Sequence, residues 1–143
     1  MTLHLIKLCV GCDSIEDLAD WQKRRVAGLR KKRKAPELVH VTRMTPKRAD
    51  ELLDGGSLYW VIKGHISVRQ KLVALKPMVK NGVPHCGLVY DAKLILVVPR
   101  SHRPFQGWRY LAAKDAPPDA SSVKGSKHLP PRLRAELSAL GLL

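Results

Sequence analysis

The stretch LLDGGSLYWVIKGHISVRQKL, residues 52–72, decides how this chain is read. In it a helix end, a glycine pair and a long β-prone run follow one another without a linker. Val, Ile, Tyr and Trp favour strands, and Gly55 suits the left-handed residue that closes a helix. Within the run Leu58, Trp60 and Ile62 alternate with Tyr59, Val61 and Lys63, so the two sets face opposite sides. Gly64 bends the strand or forms a bulge. Beyond it Ile66, Val68, Gln70, Leu72 and Ala74 continue one face, while His65, Ser67, Arg69 and Lys71 form a polar one. The expected result is a sheet with one apolar face for the core and one basic face for an anionic ligand.

On the N-terminal side, LHLIKLCV (3–10) reads as a strand and DSIEDLADWQKRRVAGL (13–29) as a helix. Asp13 or Ser14 can cap it, and Glu16, Asp17 and Asp20 sit near its positive end. Ile15, Leu18, Val26 and Leu29 keep helical spacing, with Gln22 as a polar intruder. ELVHVTRM (37–44) alternates like a strand. Thr45-Pro46 then opens a second helix, with Ala49, Leu52 and Leu53 inward. On the C-terminal side, KNG (80–82) signals a turn, and HCGLVYD (85–91) and LILVVPR (94–100) read as two more strands. The order β-α-β-α-β-β-β-β predicts an α+β fold: a small, curved, mixed or antiparallel sheet or barrel with two to three flanking helices. Residues 1–112 form its single domain. Residues 113–131, rich in Pro and small polar residues, read as a flexible connection, and 132–143 as a short C-terminal helix.

The composition narrows the function. Hydrophobic residues make up 45% of the 143 residues but aromatics only 5%, so the core is aliphatic and each aromatic deserves its own question. Lys and Arg number 26 against 12 Asp and Glu, a formal charge of +14. Such a charge opposes compaction and favours a polyanionic partner, RNA or a ribonucleoprotein such as the ribosome. No apolar run is long enough to span a bilayer, and His4 and Lys7 interrupt the N-terminal stretch where a signal peptide would be apolar. With three cysteines, an odd number, the expectation is a cytoplasmic protein.

Three motifs carry chemistry. Cys9-Val-Gly-Cys12 has the spacing of a zinc half-site or a redox pair, but adjacent His85 and Cys86 point to opposite strand faces and cannot both complete one site. Neither a metal nor a cofactor is therefore expected. The basic run Lys23, Arg24, Arg25, Arg30, Lys31, Lys32, Arg33 and Lys34 has the composition of a phosphate-tracking element or of a solvated helix end. RPFQGWRYL (103–111) interleaves Phe105, Trp108 and Tyr110 with Arg103 and Arg109, either as stacking surfaces and phosphate donors or as a loop pinned to the core by its aromatics. No phosphate loop, dinucleotide fingerprint, nucleophile elbow or zinc-protease helix is present.

LHLIKLCVGCDSIEDLADWQ, VTRMTPKRADELLDGGSLYWVIKG, the Arg69-Gln70 pair and RPFQGWRYL together resemble a family of short basic alphaproteobacterial proteins, domain of unknown function 1489. The resemblance implies a bacterial, cytoplasmic protein and brings no activity with it. The helix PKRADELLDGG leading into SLYWVIKG is also similar, in element order, to the PUA-like superfamily with its ASCH and EVE branches. That likeness implies a curved barrel tied to RNA or modified bases, with its ligand between the second helix and the sheet.

These readings converge on RNA binding, with Lys63, Arg69, Arg103 and Arg109 on phosphates and Tyr59 and Trp108 stacking a base. The alternatives are an enzyme acting on a nucleotide or modified base in the same cleft, using Cys12, His65 or His85, and a zinc- or redox-responsive protein built on Cys9 and Cys12.

Overall fold

The computed structural model describes residues 2–122. The expected C-terminal helix at 132–143, and the expected flexible connection beyond 122, lie outside the described residues. The elements are β1 (Leu3–Leu8), α1 (Ile15–Lys31), β2 (Leu38–Thr42), α2 (Ala49–Leu52), β3 (Ser57–Ile62), β4 (His65–Lys80), β5 (Val83–Tyr90), β6 (Ile95–Ser101) and β7 (Trp108–Ala112), followed by two 3₁₀ turns. The seven strands form one mixed sheet in the order β2-β5-β4-β3-β1-β7, with β6 also on β4. Among these pairings only β1 with β3 is parallel. The sheet is open, with β2 and β7 at its ends, so the α+β expectation holds in its sheet form rather than as a barrel.

The deciding stretch is a hairpin rather than one bent strand. Lys63 and Gly64 both have positive φ, 48° and 77°, and Ile62 pairs with His65 across them. That is the two-residue turn whose twist matches antiparallel strands. Asn81-Gly82 makes the same turn between β4 and β5. β4 is the spine: Ser57–Ile62 pairs with its first half, and the partner along its length passes from β5 at Leu72↔Tyr90 to β6 at Arg69↔Ile95. Register shifts at Trp60/Val61 and Ile66/Val68 bend this region. They also turn Ile66 away from Val68, so that Ile66 joins the opposite core cluster, against the expectation of one continuous face.

One cluster, under α1, contains Leu5, Ile15, Leu18, Leu58, Trp60, Val68, Leu72, Leu88 and Tyr90. The other, on the opposite face, contains Ile6, Tyr59, Val61, Ile66 and Val97, with Phe105 and Leu111 packed against it. The two polar residues that interrupt the apolar pattern meet each other in the first cluster. Gln22 and Gln70 exchange reciprocal amide hydrogen bonds of 2.8 Å. Gln70 Oε1 also accepts from Trp60 Nε1 at 2.9 Å, and its Nε2 donates to the Asp91 carbonyl at 3.0 Å. Every polar atom of the Gln70 side chain is thus used, which is the condition for burying it.

Of two local expectations, the α1 cap is met and the start of the second helix changes. Ser14 caps α1 by accepting from Asp17 N–H, while the Asp17 carboxylate accepts from Asp13 N–H, a reciprocal cap. The second helix does not start at Thr45-Pro46. It is confined to Ala49–Leu52, and the Tyr110 hydroxyl accepts from the Lys47 and Arg48 N–H groups, which ties the non-helical segment 45–48 to β7. Leu53 is consequently exposed. Gly56 is required: a Cβ there would lie 2.2 Å from the Leu52 carbonyl oxygen and 2.3 Å from that of Leu3. The end of α2 can abut β1 only through a glycine.

Candidate functional site

Between the first half of α1, the Cys9–Cys12 turn and the sheet lies a cleft of about 930 Å³. Its floor is built by register. Lys7 on β1 stands beside Trp60 on β3 and Trp108 on β7 in the register, so its side chain leaves the sheet on the same face as theirs. Leu3 and Leu5, two residues apart on the same strand face, are core residues, and a third apolar residue would continue their pattern. Among the described residues no hydrogen bond or ion pair is made by the Lys7 ammonium. Burial lowers its pKa.

His40, on β2, is the second floor residue. Its ring meets Trp60 edge-on, with centroids 5.6 Å apart. Burial, and then the charge of Lys7, hold its pKa at about 4. The imidazole is therefore neutral at pH 7 and offers one donor and one acceptor. Trp60 is fixed from the other side by Gln70 and by an edge contact with Tyr90 at 6.0 Å. The wall on α1 carries Asp17, Asp20, Trp21, Lys23 and Arg24. Trp21 is 41% exposed, and the Arg25 guanidinium lies 5.8 Å from its ring centroid. Cys9 and Cys12 complete the lining, with their thiols close enough to influence one another. Burial, aided by the neighbouring Cys12, pushes the Cys9 pKa up, so it is a thiol rather than a thiolate.

The residues singled out from the sequence do not assemble into one face. Tyr59 is buried in the second cluster against His4 and is not a surface for stacking. Arg69 is engaged internally: Nε and Nη2 donate to Asp119 at 2.8 and 2.9 Å, and Nη1 donates to Ser57 Oγ at 2.8 Å. These bonds raise the Arg69 pKa and lower that of Asp119. They tie the segment after β7 to the sheet, as do the Val97↔Asp119 bridge and the Val98 N–H to Pro118 carbonyl bond. Lys63 stands exposed at the hairpin turn, not on a sheet face. Arg103 is exposed in the loop before β7. Trp108 Nε1 donates to the Met44 carbonyl, and its ring meets Tyr110 edge-on, which pins the 43–48 segment to β7. Arg109 is exposed on the other face of β7, with its guanidinium 5.1 Å from the Phe105 ring centroid. The basic sheet face expected from Lys63, Arg69 and Lys71 is thus not formed.

The candidates of the other readings are likewise separate. Cys12 lines the cleft, but neither His65 nor His85 does. Among the described residues no three of His, Cys, Asp and Glu are grouped to hold a metal. None of the described helices is long and apolar enough to cross a membrane.

What the fold and cleft define is a small α+β protein with a mixed, open sheet and a cation-floored cleft under its first helix. The chain belongs to the family described as protein of unknown function (DUF1489), whose model matches residues 5–143. No curated protein and no solved structure matches it.

Proposed function

We propose that the protein binds RNA, through the second half of α1 and the turn that follows it. One observation carries this reading. The eight cations Lys23, Arg24, Arg25, Arg30, Lys31, Lys32, Arg33 and Lys34 are all exposed, and among the described residues none of them forms an ion pair. The ion pairs elsewhere, Arg48 with Glu51, Arg69 with Asp119 and Lys76 with Glu37, show what the chain does with a cation that belongs to its own architecture. Eight uncompensated charges along one helix and its turn repel one another, and phosphates remove that repulsion. Arg109 and Arg103 at the β7 end would add contacts if the strand runs that far. The PUA-like likeness agrees in partner but not in site, since the cations lie on the first helix and not beside the second.

The test is the salt dependence of binding to a single-stranded RNA. Replacing Arg30, Lys31, Lys32 and Lys34 by Gln removes four contacts and should flatten the slope of log K against log salt by about 3. An unchanged slope in that variant would remove α1 from the interface.

A further inference from the structure

We propose that the cleft under α1 is a binding site for a nucleoside monophosphate, either free or as one unpaired residue of an RNA strand. The inference stands on the cleft alone and does not require the RNA reading of the exposed helix. Lys7 places one ammonium on the floor, and among the described residues it forms no ion pair, the cleft's carboxylates, Asp17 and Asp20, belonging to the α1 wall. A charge held part-way out of water without a partner is a cost that the fold bears, and an anion in the cleft would offset it. Lys23 and Arg24 at the rim extend the positive potential outward.

A bare anion would leave the rest of the cleft unexplained. The exposed Trp21 indole supplies a flat surface beside the cations, suited to an aromatic ring. His40 supplies a neutral donor and acceptor, suited to the edge of a base. Asp20 at the same rim can accept from a hydroxyl or amino group, which a simple aromatic carboxylate does not carry. An anion, a planar ring and donor groups in one molecule are the three parts of a nucleotide. The volume, about 930 Å³, lies in the range of small-molecule sites and exceeds what one phosphate would fill.

The experiment is an NMR and calorimetric titration of the full chain with AMP, UMP, adenosine, inorganic phosphate and a short oligouridylate, following the His40 and Trp21 resonances. The proposal expects AMP or UMP to shift both, with adenosine and phosphate at least about tenfold weaker, since each lacks part of the recognised set. Lys7→Met, which keeps the aliphatic stem, and Trp21→Ala, at an exposed position, should each weaken binding by about tenfold or more. If only the oligouridylate shifts His40, and Lys7→Met abolishes that shift, the nucleotide is one held in a strand. Phosphate binding as tightly as the nucleotides, or nucleotide affinity unaffected by both variants, or no shift of His40 with any probe, would overturn the proposal. The four-Gln variant of the exposed helix separates the two readings. It should lose salt-dependent RNA binding and keep mononucleotide binding, whereas Lys7→Met should do the reverse.

Discussion

The two faces of the sheet around β3 treat a partly buried cation in opposite ways. On one face Arg69 meets the Asp119 carboxylate with two parallel bonds, and Ser57 takes a third. On the other face Lys7, beside Trp60 in the register, has neither carboxylate nor carbonyl among the described residues. Arg69 fastens a loop and is finished. Lys7 is held in place by its neighbours and forms no ion pair among the described residues. The contrast separates a charge that serves the fold from one that serves a ligand, and the fold supplies its own control.

The largest effect should come from the frame that holds Trp60 over the cleft. Gln70→Leu leaves the Gln22 amide, the Trp60 N–H and the Asp91 carbonyl without their shared partner. It should cost about 3 kcal/mol in denaturant unfolding, and near-neutral stability would show that the network adapts. Arg69→Met should come next, at about 2 kcal/mol, because it removes the two guanidinium bonds to the partly buried Asp119 and the one to Ser57. A loss confined to the segment near Asp119, seen by hydrogen exchange, would sharpen the assignment of Arg69 as a fastener.

The third effect is a pH dependence. His40 of the unfolded chain takes up its proton near pH 6.5, and that of the folded chain only near 4. Between these values the unfolded state holds more protons, so stability falls as pH drops through that window. The share owed to His40, discounted for its partial exposure, is on the order of 1–2 kcal/mol. His40→Gln should flatten the curve by that amount, while an unaltered curve would assign the slope to His4, whose pKa burial also lowers. The smallest effect is that of Lys7→Met. It should leave stability unchanged or raise it by up to about 1 kcal/mol, in contrast to Arg69→Met on the opposite face.

Much of the architecture was legible because it rests on local rules. The α1 cap follows from Ser14 and Asp17, the Asn81-Gly82 turn from its residue pair, and the strands from alternation. What escaped depended on partners distant in sequence. Thr45-Pro46 has the form of a helix start, but the Tyr110 hydroxyl, more than sixty residues on, takes the Lys47 and Arg48 N–H groups in a non-helical segment. Gly64 read as a bend or a bulge within one strand because a two-residue hairpin inside a continuous β-prone run leaves little trace. Arg69 read as a ligand contact because Asp119, its partner, sits in a segment whose composition suggests a loose connection. The site was missed for a related reason. Lys7 served only to break an apolar run, though its place two residues after Leu5 marks it as a charge on the buried face. His40, in the alternating LVHVT of β2, gives the same signal. Gln22 and Gln70 were each visible as intruders, but that they answer one another is a fact of the sheet and not of either segment.

The central claim is that Lys7 stands charged and unpartnered beside His40, and the His40 pKa reads this directly. NMR titration of the wild-type chain should place that pKa near 4, and Lys7→Met should move it up by a part of the gap to 6.5, because burial, the larger cause, remains and only the Lys7 charge is removed. Anion binding in the cleft should raise it as well. An identical His40 titration in the two chains would mean that the Lys7 charge does not act on the cleft, and the account of the site would fail.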